Sequence, residues 1–342
     1  MEHMVAFVDV ENTARWARTV GFETIAIGLV SYLEDDFRRW EQFDKCPRIA
    51  SHSTFGVIEL MPTSDHETYG FKYVNGHPIN TKTGLQTVTA FGVLADVASG
   101  YPTFLSEMTL LTAMRTAATS AMAAKYLARP DAETMALIGT GAQSEFQSLA
   151  FRSVLGINRL RLWDIDPEAM DKLTANLTPL GFELEVCASA EDAVRGADII
   201  TTCTADKRNA TVLHDDDVVA GVHINAIGGD CPGKTELDST ILNRSTVFVE
   251  YPEQTFIEGE IQHFDDSFPV VELWTVVNGD HPGRSRADEV TVFDSVGFAI
   301  EDFSALKYLR DQTADTEFEV EIDLIAEALD PKNRYSLMAG TQ

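Results

Sequence analysis

Asp230 closes the run Asn225-Ala226-Ile227-Gly228-Gly229-Asp230, which follows an apolar stretch that reads as a strand. Gly228 and Gly229 allow a close approach of backbone to a ligand, leaving the Asp230 carboxylate beside whatever reacts there. In apolar surroundings its pKa would rise toward neutrality, where a carboxyl group can take and return a proton. The same residues also describe an ordinary turn, in which Asp follows two glycines for conformational reasons alone. A second signal comes from Lys72, within Phe71-Lys72-Tyr73-Val74-Asn75-Gly76-His77-Pro78, and from Arg115, inside an Ala-rich apolar segment. The chain has only 26 basic residues, so charges placed in apolar segments are informative. Burying either one requires an anionic partner. A substrate carboxylate or cofactor phosphate would serve, gripped by Arg through two hydrogen bonds, and so would an internal Asp or Glu.

A third group is Gly139-Thr140-Gly141-Ala142-Gln143-Ser144, directly after the apolar run 135–138 and at the start of a helical pattern. In that context the glycines tighten the turn and admit a pyrophosphate, whose charge is held by the helix N-terminus. Ser144 stands where a third glycine is usual, which predicts slightly looser packing of helix on strand. Asp164 lies 23 residues beyond Gly141, at the end of the next predicted strand. A carboxylate there accepts hydrogen bonds from an adenosine ribose and repels a 2′-phosphate, which favours NAD over NADP. Asp166 competes for this role, although Asp166-Pro167 also suits a helix start.

The elements that must position these groups form an α/β pattern. From residue 134 onward, short apolar runs at 135–138, 160–163, 184–187, 199–203, 223–227, 247–249 and 290–293 alternate with amphipathic stretches. Strands spaced by helices predict a doubly wound parallel sheet of the Rossmann type, with residues 297–311 as its last helix. Before it lies a mixed α/β region: a helical pattern at 25–43, extended runs at 57–61 and 69–74, and a buried helix at 105–128 whose small residues admit a close neighbour. Pro130 and Asp131 punctuate the junction. The expected division is a substrate-binding and dimerisation domain at 1–129, joined by the acidic, amphipathic tail within 315–342, and a cofactor domain at 130–314.

Composition narrows the class. A hydrophobic fraction of 44% and a mean hydropathy of −0.08 describe a globular chain. Its apolar runs are too short to span a bilayer, and the first residues lack a secretory signal, so a cytoplasmic location is expected. The four cysteines show no CxxC spacing and the eight histidines no HxH or HExxH pair, so no metal site is expected. With 54 acidic residues against 26 basic, the net charge is −28. Such a surface repels nucleic acid and anionic membrane, and it suits a salt-rich cytoplasm where screening reduces self-repulsion.

Along nearly its whole length the sequence resembles the ornithine cyclodeaminase family, a group that includes mu-crystallin and several imine-reducing dehydrogenases. The matching segments are Arg48-Ile49-Ala50-Ser51-His52-Ser53, Gly56-Val57-Ile58-Glu59-Leu60-Met61-Pro62, the Lys72 and Arg115 segments, the glycine loop, the Asp230 segment, Ile257-Glu258-Gly259-Glu260-Ile261 and Phe293-Asp294-Ser295-Val296-Gly297-Phe298. The resemblance implies closure of L-ornithine into L-proline with loss of ammonia. Bound NAD borrows a hydride from the α-carbon, the distal amine attacks the resulting imine, and the hydride returns to the cyclic product. It makes Asp230 the acid/base, places Arg48, Lys72 and Arg115 around the α-carboxylate, puts Glu59 near the distal amine, and lets Val296 border the substrate. Cofactor contacts are implied for Thr87, Arg115, Gly139, Gly141, Ala142, Gln143, Asp164, Thr204, Asn225, Ala226, Ile227, Gly228, Gly229, Lys234 and Ser295, and a homodimer is implied through the first domain. Phe256 departs from the pattern, standing where relatives usually carry Arg; this puts a local ion pair in question.

Two other readings stay open at the level of sequence. A dehydrogenase or imine reductase on the same scaffold would act on alanine, lysine or a cyclic ketimine, and lysine cyclisation differs by one methylene, worth about 1 to 3 kcal/mol of discrimination. Glu59 separates these, since a small neutral substrate needs no distal carboxylate. A ligand-binding protein without catalysis, as mu-crystallin relatives can be, is opposed by the joint presence of Asp230, Lys72 and Arg115.

Overall fold

Two β-sheets organise the chain in the computed structural model, which describes residues 3–205 and 210–340. The first contains β1 (Val5–Val8), β2 (Ile49–His52), β3 (Val57–Ser64), β4 (Thr68–Gly76), β5 (Val88–Asp96) and β6 (Pro102–Glu107). The second contains β7 (Thr134–Ile138), β8 (Arg159–Trp163), β9 (Glu183–Val186), β10 (Ile199–Thr202), β11 (His223–Ala226), β12 (Thr246–Val249), β13 (Val271–Glu272) and β14 (Thr291–Asp294). The chain then returns as β15 (Val320–Ile322), antiparallel to β1 with Ile322 opposite Val5.

The second sheet is parallel throughout, in the order β13-β12-β14-β11-β10-β7-β8-β9. Every residue of β7, β10, β11 and β14 is buried, as a sheet covered on both faces requires. Chain order reverses between β7 and β10, which opens a crevice at the carboxyl ends of those strands. The expected α/β class, a Rossmann-type parallel sheet with a mixed α/β partner, is the one observed.

The first sheet runs β15-β1-β6-β5-β4-β3-β2 and is mainly antiparallel. Along β3, Val57, Glu59, Met61 and Thr63 are buried while Ile58 and Leu60 are exposed; along β4, Gly70, Lys72 and Val74 are buried. Strand alternation therefore sends Glu59 and Lys72 to one covered face. The helix Ala299–Thr313 covers it. Gly92, opposite Lys72 on β5, permits this approach, since a Cβ there would stand 2.3 Å from Met108 Sδ and 2.9 Å from Leu306. Phe303, Leu306 and Leu309 are buried in the contact, each contributing about 2 kcal/mol by area.

Two expectations are corrected. The helix Ala299–Thr313 does not complete the parallel-sheet unit; it packs under β3, β4 and β5 and against the helices Phe22–Arg38 and Thr109–Leu127. A helix apolar on several faces announces burial, not which sheet buries it. The segment 105–128 is not helical throughout: residues 105–107 end β6, and the helix begins at Thr109, where the Glu107 carboxylate accepts from the Thr109 and Leu110 amides at 2.9 and 3.2 Å. Beyond that point Ala117, Ala121 and Ala124 pack with Ala26 and Ala150, so the small residues admit close neighbours. Among the described residues, no helix is long and apolar enough to cross a membrane.

Candidate active site

The glycine loop leaves β7 at the strand-order reversal. Gly139 has φ +99°, and a Cβ there would stand 2.8 Å from the Cys203 carbonyl, so the turn and the closeness of β10 both require glycine. Gly141 faces open space and Ala142 is exposed, at the mouth of the twelve-residue helix Ser144–Leu155. Ser144 is fully buried and its hydroxyl donates to Gly141 O at 2.8 Å, so the extra atoms are absorbed by bonding back into the loop. Asp164 Oδ2 accepts from the Thr140 amide at 2.6 Å, while Asp166 caps the helix Pro167–Leu177 by accepting from Glu168 N at 3.0 Å. This gives Asp164, not Asp166, the position at the loop.

Around the same crevice, polar groups are buried without partners. Both side-chain polar atoms of Asn225 and Oε1 of Gln143 lack a hydrogen bond among the described residues. Unspent donors and acceptors beside an open glycine turn and a helix N-terminus fit a dinucleotide. Ser295 N donates to Ala226 O at 2.9 Å, and Ile227 N donates to Thr202 O at 3.1 Å, which draws β10, β11 and the end of β14 together. Lys234 Nζ donates to Thr204 O at 2.9 Å, and Thr204 N donates to Glu236 at 2.9 Å. Thr87 lies apart: its carbonyl accepts from His77 N at 2.8 Å, and none of its hydrogen bonds among the described residues reaches the glycine loop.

The expected cations converge between the sheets. Lys72 Nζ donates to Asp302 at 2.8 Å, and Arg115 pairs with the same carboxylate through Nε at 2.8 Å and with Glu301 through Nη1 at 2.5 Å. Arg48 reaches Glu59 at 3.2 Å, Glu258 at 3.0 Å, and the carbonyls of Val296 and Gly297 at 2.5 and 2.7 Å. These side chains are at most 7% exposed. Internal carboxylates are thus the partners of Lys72 and Arg115, one of the two alternatives open in the sequence. Burial, reinforced by Arg115, lowers the Lys72 ammonium to about 8. Burial likewise pushes the Glu301 carboxyl up to about 8, against the pull of Arg115. At neutral pH Asp302 therefore faces two cations with little help from Glu301, and positive charge is left over for a ligand carboxylate.

The Asp230 loop rests on buried acids. A Cβ at Gly228 would stand 2.0 Å from the Glu236 carboxylate, and Glu260 accepts from the Glu236 and Leu237 amides at 2.8 and 2.9 Å. Asp230 itself does not lie in the apolar surroundings expected of it. Its side chain is 56% exposed and stands 3.4 Å from Lys234 Nζ, because the loop projects from the carboxyl edge of the sheet. Its charge is felt by both Arg48 and Glu258, which sets Asp230 on the rim of the cation cluster. Phe256, at the position of doubt, packs partly buried against the apolar core of the parallel sheet.

Asp302, Glu301 and Glu258 escaped the sequence reading, as did the fully buried Glu250, which accepts from the Ser295 hydroxyl at 2.5 Å and the Gly297 amide at 3.1 Å. The signal was present in Glu301-Asp302, two adjacent acids between the apolar residues 298–300 and Phe303, and in Glu258, which lies inside a segment singled out above without a role.

Fold and site define an α/β protein of the Rossmann type with a cluster of buried, mutually paired charges between its two sheets. Residues 10–317 match the model of the ornithine cyclodeaminase/mu-crystallin family, and the chain belongs to that family. It is 60% identical over 340 residues to the ornithine cyclodeaminase of Agrobacterium fabrum, spanning 99% of this chain and 96% of that one. Among solved structures, a lysine cyclodeaminase, studied for recognition of L-lysine, L-ornithine and L-2,4-diaminobutyric acid, superposes with a TM-score of 0.90 at 31% identity, covering 96% of this chain and 99% of that one. An archaeal alanine dehydrogenase dimer with bound NAD superposes with a TM-score of 0.86 at 29% identity, covering 94% and 100%.

Proposed function

We propose that this chain is an ornithine cyclodeaminase, converting L-ornithine to L-proline and ammonia with NAD. The observation that carries the reading is the meeting of Arg48, Lys72 and Arg115 with Glu59 and the Asp230 rim in one charge cluster, in a chain 60% identical to an ornithine cyclodeaminase. The residual positive charge at Lys72 and Arg115 suits the α-carboxylate, while Glu59, across Arg48, suits a distal ammonium. Asp230 takes a proton from the attacking amine and gives one to the departing ammonia; its partial exposure leaves it free to turn between the two nitrogens.

When bound, NAD supplies a hydride acceptor and donor within one turnover, so oxidation of the α-carbon and reduction of the ring cancel. Gly139, Gly141, Ala142 and Gln143 would hold its pyrophosphate at the helix N-terminus and Asp164 its ribose. Arg115, Thr204, the run Asn225 to Gly229, Lys234, Ser295 and Thr87 would complete its contacts. Division of labour follows the sheets, the parallel one serving cofactor and the mixed one serving substrate and a homodimer contact. Ile58, Leu60, Tyr69 and Phe91 are exposed on β3, β4 and β5, an outer apolar face that a second copy would cover.

The test is to supply purified protein with L-ornithine and catalytic NAD and to follow proline, ammonia and NADH together. Equal proline and ammonia without net NADH support the proposal. NADH accumulating with a keto acid or imine would make the protein a dehydrogenase.

A further inference from the structure

Three of the carboxylates in the cation cluster have hydrogen bonds to spend their charge on. Asp302 accepts from Lys72, Glu301 from Arg115, and Glu59 from Arg48. Glu258, the last residue of the helix Pro252–Glu258, does not. Its Oε2 lies 3.0 Å from Arg48 Nε, yet neither atom has a hydrogen-bonding alignment among the described residues, and the residue is only 3% exposed. A buried carboxylate held by charge alone, with unspent acceptor capacity, calls for an N–H donor from outside the chain.

The charge balance gives the donor's sign. At this end of the cluster Arg48 carries one positive charge against Glu59 and Glu258, with Asp230 at the rim. Arg48 is anchored through Nη1 to Glu59 and through Nη2 to the carbonyls at 296 and 297, so turning its Nε into line with Glu258 would disturb those bonds. We infer that Glu258 is a specificity-determining residue: it completes, with Glu59, the seat of the substrate's distal ammonium, Glu59 staying on Arg48 while Glu258 receives the ammonium hydrogens. This rests on the diamino-acid reading above and adds a second carboxylate to it. Burial, with Glu59 and Asp230 adding to it, pushes the Glu258 carboxyl up to about 7. A bound cation restores its charge, so the seat is favourable only to a ligand that brings one. Neutral side chains of the same length gain nothing from it.

The test compares L-ornithine with L-norvaline, which keeps the carbon chain and lacks the distal amine. In Glu258→Gln, KM for ornithine is expected to rise by about tenfold or more, as loss of a charge-assisted hydrogen bond requires, with kcat changed far less. Inhibition by norvaline and affinity for NAD should stay as in the unaltered protein. Should Glu258→Gln fail to fold, Glu258→Asp keeps the charge but withdraws it by one methylene, and the same split between ornithine and norvaline is expected. A variant that binds both ligands as the unaltered protein does, or that loses both equally, overturns the inference and leaves the cyclodeaminase reading intact. Failure of the unaltered protein to act on ornithine overturns both.

Discussion

The Lys72 ammonium and the Asp302 carboxylate lie 2.8 Å apart, with 2% and 1% of their side chains exposed. They come from opposite ends of the chain, separated by 230 positions. Asp302 also holds Arg115, so one carboxylate from the helix Ala299–Thr313 fixes a cation on β4 and another on the helix Thr109–Leu127. Removing it would leave two buried charges short of a partner.

Asp302→Ala is therefore expected to cost about 3 to 5 kcal/mol of folding stability, measured by urea unfolding. A double change, Lys72→Met with Asp302→Leu, should recover part of that loss because one of the two stranded cations leaves with the carboxylate, Arg115 keeping only Glu301, while activity stays absent. If the single change is neutral, the pair does not hold the pocket.

Stability should fall as pH rises from about 5 to 8. Burial raises Asp294 from 3.8 to about 7, with Glu250 adding to it, and raises Glu258 and Glu301 to about 7 and 8. Each raised acid binds more protons folded than unfolded, so its contribution is complete below the unfolded pKa and is lost through the folded one. Carboxylates whose pKa is lowered, such as Asp65 and Glu289, act in the opposite sense at more acidic pH, and His223, which burial lowers from 6.5 to about 3, opposes the three acids only up to about 6.5. Melting temperature against pH should slope downward across this window, and Asp294→Asn should flatten the slope; an equal slope in both proteins would refute the assignment.

Cofactor binding should fail in Gly139→Ala, where φ +99° and the Cys203 carbonyl at 2.8 Å both oppose a side chain. Asp164→Ser should weaken NAD by about tenfold through lost hydrogen bonds while lifting the repulsion of a 2′-phosphate, so NADP gains relative to NAD. Calorimetric titration of both nucleotides measures this. An unchanged preference would place the ribose elsewhere.

A net charge of −28 makes added salt a stabiliser. Between 0.1 M and 1 M NaCl the screening length shrinks from about 10 to about 3 Å, and the melting temperature is expected to climb. A flat response would mean that the acidic surface carries little self-repulsion.

The parallel sheet was legible because its strands are short, built around apolar residues and punctuated by Gly and Asp, as at Ile138-Gly139 and Trp163-Asp164. The mixed sheet was less so. β5 carries Ala90 and Gly92 in its alternation and β6 begins at Pro102, which dilutes a period-two signal. The helix Ala299–Thr313 was legible as a buried helix, but its partner sheet was not, since helix periodicity reports the width of an apolar stripe and nothing about what meets it. Lys72 and Arg115 stood out as cations in apolar segments; their partners did not, because a carboxylate 230 residues away carries no local mark. Asp230 was found by its two preceding glycines, whereas its exposure depends on how far the loop projects, which spacing does not encode.

The central claim is that the hydride leaves and returns to the same carbon within one turnover. Feeding L-[2-²H]ornithine with NAD far below the substrate concentration, then analysing proline by mass spectrometry, tests it directly. The account predicts proline that retains deuterium at C2, one ammonia per proline, and no lasting NADH. Proline lacking the label, or deuterium accumulating in reduced cofactor, would contradict it.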